Sequence, residues 1–113
     1  MIKDEMMIHV HGEDVVMIFA QYGNGTGALE LQDEYGIPHM RVTTNLQDTH
    51  IVPKALTAIK TDDTTEEVIA ALITHDIIDA RVGEVVHVGW NTYHIYKWTP
   101  KAIRLFAENG VIL

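Results

Sequence analysis

The sequence predicts an α+β fold in one domain: an antiparallel sheet, made of an N-terminal meander and a later hairpin, packed by two helices near 65–75 and 100–108. Three features of the chain carry that expectation. The first 46 residues are short apolar and alternating runs separated by turn-forming residues. A capped segment with helical apolar spacing follows. A second pair of strand-like runs then leads into a second capped helix. Strands then helix, twice over, differ from the βαβ alternation that builds a parallel sheet. At 113 residues the chain is long enough to bury a core without disulfide or metal staples.

Met6 to His11 alternates weakly and reads as a first strand, with Gly12-Glu13-Asp14 as the turn after it. Val15 to Phe19 is apolar and β-branched at its start, the pattern of a well-buried strand. Gln21-Tyr22-Gly23-Asn24-Gly25-Thr26-Gly27 then joins it to Ala28–Gln32 as a β-hairpin. Asn and Gly tolerate the positive φ of such turns, and a two-residue Asn-Gly loop matches strand twist. Asp33-Glu34-Tyr35-Gly36 is a second turn, and the strand after it is best placed at Met40–Thr44.

Gln47-Asp48-Thr49-His50 breaks the pattern, and Pro53 argues against a central strand there. Leu56–Lys60 is a short strand. Asp63/Glu66 or Thr64/Glu67 supplies a helix cap, followed by Val68, Ile69, Leu72, Ile73 and Ile77 on one apolar face. Glu84–Val88 and Thr92–Trp98 form a hairpin around Gly89-Trp90-Asn91. Thr99-Pro100 starts the last helix, with Thr as cap and Pro at its first position, and Asn109-Gly110 ends it. Val111-Ile112-Leu113 is a docked tail or part of an interface.

Composition narrows the function classes. With no cysteine, thiolate metal sites, disulfides and cysteine nucleophiles are excluded. A formal net charge of −8, with eight dispersed basic residues, argues against nucleic acid as a partner. No apolar run approaches the ~20 residues of a membrane span, and the charged Met1–Glu5 segment is unlike a signal peptide. A cytoplasmic protein that neither enters nor binds membranes is the expectation.

Seven histidines raise the question of a metal. His9 and His11 would share one strand face, with Glu13 and Asp14 as nearby oxygen donors and His39, His50, His75, His87 and His94 as further candidates. No third ligand stands at a diagnostic spacing, so solvated or hydrogen-bonded histidines are expected, with no metal site and no cofactor. The pairs Asp62-Asp63 and Glu66-Glu67 belong to a helix start, and Asp33-Glu34 to a solvated turn. The glycine-rich loop lacks the Lys and following helix of a phosphate cradle. No catalytic residues emerge. The favoured reading of the aromatic segment packs Tyr96 and Trp98 in the core and folds Trp90, at the hairpin tip, back over the sheet; the alternative makes Trp90 and Tyr93 the candidate partner-binding residues, because exposed aromatics are typical anchors.

The chain resembles a family of small uncharacterised proteins found in bacterial genomes, phages and mobile elements. Tyr22, Asn24-Gly25, Ala28, Leu31, Asp33, Gly36, Pro38 and Thr44-Asn45-Leu46 carry the resemblance, joined by Ile59-Lys60-Thr61, Ala70-Ala71-Leu72 and Ile77-Ile78. These are turn and core residues, so the resemblance implies a shared fold and supplies no ligand or catalytic residue. Together these features lead to the expectation of a non-enzymatic protein-binding module of phage or mobile-element origin, with a host-defence inhibitor as one version. A His-based metal- or ligand-binding protein and a homodimeric or larger structural module are the alternatives.

Overall fold

A computed structural model describes residues 4–46 and 52–113. After a 3-10 turn at Asp4–Met6, the elements are β1 (Met7–Val10), β2 (Glu13–Gln21), β3 (Gly27–Gln32), β4 (Pro38–Arg41), β5 (Thr43–Thr44), β6 (Leu56–Lys60), α1 (Asp63–Thr74), β7 (Glu84–Val88), β8 (Asn91–Lys97) and α2 (Pro100–Glu108). The α+β class, meander, later hairpin and two helices are as the sequence predicts. The strands divide into two antiparallel sheets, ordered β1-β2-β3-β4 and β5-β6-β8-β7.

The chain passes between the sheets at Val42, where the sequence suggests one unbroken strand. Val42 is buried, and its N–H donates to the Leu29 carbonyl. The Leu29 N–H in turn donates to Thr43 Oγ1. This exchange detaches β4 from β5 while keeping the backbone hydrogen-bonded, as burial requires.

Alternation along β2 and β3 sets the main core. Val15, Met17 and Phe19 face inward with Leu29 and Leu31, where Met17 pairs with Leu31 and Phe19 with Leu29. Val68 and Leu72 of α1, Leu105 and Phe106 of α2, and Trp98 complete it. Phe106 is the ring at its centre, edge-on to both Phe19 and Trp98 at centroid distances of 4.8 Å. A smaller cluster of Leu46, Ala58, Tyr93 and Ile95 lies on the second sheet. Val111 is buried in the main core and Ile112 is exposed, so the tail docks through Val111.

Several local boundaries differ from the sequence expectation. The first turn is His11-Gly12, with φ of 53° and 80°, and Val10 pairs with Glu13. Glu13 and Asp14 therefore belong to β2. The second hairpin loop is Tyr22–Thr26 rather than a two-residue Asn-Gly turn. Gly25 N–H donates to the Tyr22 carbonyl and Tyr22 N–H to the Thr26 carbonyl, with Gly25 at φ 90°. Helix α1 begins earlier because Asp62, not Asp63 or Thr64, is the cap. Its carboxylate accepts from the Thr64 and Thr65 N–H groups, while Thr65 Oγ1 accepts from the Asp62 N–H. The final helix has the cap and limits expected, with Thr99 Oγ1 accepting from Ala102 N–H. The Gln47–His50 break lies outside the described residues.

Candidate functional site

The β7–β8 hairpin turns in two residues, Gly89-Trp90, with Val88 opposite Asn91. Gly89 has φ 59° and no other positive φ follows at Trp90, the arrangement of a turn that places glycine first. Asn91 therefore starts β8 rather than sharing the turn. The indole of Trp90 projects fully into solvent, at 103% relative exposure. It does not fold back over the sheet. Trp98, by contrast, is 1% exposed.

Tyr93 departs from its assignment as an anchor. It is 8% exposed and packs with Leu46, Ala58 and Ile95, because β8 alternation turns it to the smaller apolar cluster. Its part is to support the hairpin from beneath. Tyr96 and Trp98 sit in the main core as expected. Burial pushes the Tyr96 phenol above its usual titration range.

Among the described residues β7 is the outer strand of its sheet, pairing with β8 alone. Val85 on this strand and Val82 just before it are exposed. Beside the strand lies an open groove of about 440 Å³ whose walls include Leu56, Val82, Ile95, Arg81 and Lys97. An outer strand, a groove and a terminal Trp thus share one hairpin. Such edges accept another strand, and exposed apolar residues along them raise that tendency. Tyr35 and Ile37 make a separate exposed apolar spot at the β3–β4 turn.

The histidines are placed differently from the shared-face expectation. His9 is on β1 and His11 in the positive-φ turn, so the two rings do not align along one strand. His9 Nδ1 is 2.8 Å from Asp14 Oδ1. His11 instead meets His39 of β4, with Nδ1 2.9 Å from Nε2. His75 ends α1 and its carbonyl accepts from Lys101 Nζ; His87 contacts Thr92 Oγ1; His94 lies beside Tyr96. His50 lies outside the described residues. Among the described residues no group of three His, Asp or Glu side chains is arranged to hold a metal ion.

The glycine-rich loop is a structural joint. Tyr22 OH is 3.0 Å from the Thr43 carbonyl and 2.8 Å from Thr43 Oγ1, and Asn24 Nδ2 donates to Asn45 Oδ1 at 3.2 Å. These contacts tie the tip of the first sheet to the strand that opens the second. The crevice beneath, bordered by Tyr22, Asn24, Thr44 and Asn45, has a volume of about 10 Å³, the space of a single water rather than a phosphate.

No family model, curated protein or solved structure matches this chain. Among the described residues, no helix is long and apolar enough to cross a membrane.

Proposed function

We propose that this chain is a non-enzymatic protein-binding module that docks through the β7–β8 hairpin, with Trp90 as its anchor. The observation that supports this most is the complete exposure of Trp90 at the end of an outer strand. Leaving an indole in water forgoes its burial energy, whereas seating it in a partner pocket recovers it. Trp residues so placed frequently dominate interface energetics. Exposed Val85 extends the contact along β7, and Tyr93 keeps the hairpin rigid from below. The net charge of −8 favours a partner face that carries basic groups.

The resemblance carried by Tyr22, Asn24-Gly25 and Thr44-Asn45-Leu46 supports a phage or mobile-element setting, in which inhibition of a host defence protein is one such role. A homo-oligomeric module is the second reading, favoured by the outer position of β7 among the described strands and its exposed Val85, which a second copy could cover.

Comparative affinity capture tests the proposal. Wild type and Trp90→Ala, both verified as folded, are used as bait, and captured proteins are quantified. A partner retained by wild type and weakened about 30-fold or more by the variant is expected, the loss of an anchor worth about 2 kcal/mol. Equal capture by both baits refutes the anchor. Light scattering separates the second reading, for which wild type is a dimer and Trp90→Ala or Val85→Lys a monomer.

A further inference from the structure

We infer that His11 and His39 share one excess proton and form a pH-sensitive clasp joining the β1–β2 turn, β4 and the first turn of α1. The contacts themselves count the protons. His11 Nε2 lies 2.8 Å from the Thr64 carbonyl, which only accepts, so Nε2 carries a proton. The 2.9 Å contact between His11 Nδ1 and His39 Nε2 needs one proton between two ring nitrogens. His39 Nδ1 lies 3.2 Å from Glu13 Oε1, and an ionised carboxylate also only accepts, so Nδ1 carries a proton as well. Three protons on two imidazoles make a pair of net charge +1, with Glu13 as its counter-ion.

Changing the count in either direction breaks the chain at a different place. A fourth proton puts N–H groups on both facing nitrogens and two positive rings 5.2 Å apart, so the His–His bond opens. Removing the third leaves the His39 Nδ1 lone pair against the Glu13 carboxylate, so that contact is lost while the His–His bond persists. The complete chain therefore exists only between these two limits.

The surrounding charges are consistent with a cationic pair. From α1, the Glu67 carboxylate accepts from the His11 backbone N–H, and Asp63 and Glu66 share that first turn. β2 supplies Glu13 directly. On the β1–β2 ladder, His9 is engaged with Asp14; on β4, Arg41 lies 3.9 Å from Glu30. The clasp reaches elements far apart in sequence, so opening the His–His bond at low pH frees His11 from His39 of β4, while the Thr64 and Glu67 contacts still hold the turn to α1.

Nitrogen-resolved NMR of the imidazoles in the full chain, from about pH 4 to about pH 9, tests this. At intermediate pH the two rings should hold three protons, one of them between His11 Nδ1 and His39 Nε2, and a scalar coupling should cross that N–H···N bond. Acid should abolish the coupling. Base should remove the His39 Nδ1 proton and leave the coupling in place. His11→Asn keeps a residue that accepts positive φ, and it should abolish the coupling and reduce His39 to a simple one-site titration. His39→Gln should do the same for His11 and serves if the first variant does not fold. Independent one-site titrations of both rings in wild type, unchanged by either substitution, overturn the inference. So does a stoichiometric metal with both facing nitrogens unprotonated.

Discussion

Gly27→Ala places the heaviest demand on the packing described above. A Cβ at position 27 would stand 2.8 Å from Phe106 Cζ, 3.0 Å from Cε1 and 3.3 Å from Trp98 Nε1. The Phe106 ring is fully buried and held edge-on by Phe19 on one side and Trp98 on the other. It has no solvent-facing route by which to yield. Overpacking of this kind costs about 1–3 kcal/mol. Replacing Gly by Ala within a strand returns about 0.5–1 kcal/mol of backbone preference. Taking the middle of each range, the net destabilisation is about 1 kcal/mol, or a melting temperature lower by about 4–5 °C for a domain of this size. Urea unfolding monitored by Trp98 fluorescence measures it. Gly23→Ala is the control, since its Cβ would meet nothing within 4 Å. In the double variant Gly27→Ala/Phe106→Leu the collision is removed, so its cost should fall below the sum of the single variants. A Gly27→Ala protein as stable as wild type, or strict additivity in the double variant, refutes this packing.

Two further outcomes follow from local geometry. Asp62 is held below the usual carboxylate range, chiefly by the Thr64 hydroxyl, against a smaller opposing effect of burial, with help from the Thr65 and Thr64 backbone N–H groups and Lys60. Its charged form therefore stabilises the fold above the unfolded value of about 3.9, and that contribution is lost as pH falls through the lower folded value. The stability gap between wild type and Asp62→Asn should be present at neutral pH and close on acidification; a gap that ignores pH contradicts the cap. Trp90→Ala should leave stability within about 0.5 kcal/mol of wild type. It should also remove the red-shifted, readily quenched part of the fluorescence, leaving the buried emission of Trp98. Unchanged acrylamide quenching would mean that Trp90 is not in water.

The elements were legible because local signals and burial agree in them. Thr99-Pro100 reads as a helix start and is one, and the alternation of Leu29 and Leu31 gives the buried face of β3. Misplaced boundaries arose where side chains compete for the same backbone groups. Asp62, Asp63 and Thr64 all resemble caps, and only the reciprocal hydroxyl of Thr65 selects Asp62. The division into two sheets was not legible, since Val42 looks like an ordinary strand residue until Leu29 is opposite it. The exposure of Trp90 was legible as an alternative, because a side chain at a hairpin tip has little to pack against. Tyr93 was misread for the converse reason: closeness in sequence to the tip hid the strand alternation that turns it inward. The His11–His39 contact joins residues 28 apart, and neither residue's neighbours announce it.

The docking role of the β7–β8 hairpin is tested most directly by site-specific photo-crosslinking. A photoreactive phenylalanine analogue replaces Trp90 in one preparation and exposed Glu108 of α2 in another, in the cells in which the chain is made naturally. The docking account expects a discrete adduct of defined mass from position 90 that is absent from position 108. Adduct patterns that do not differ between the two positions would contradict it.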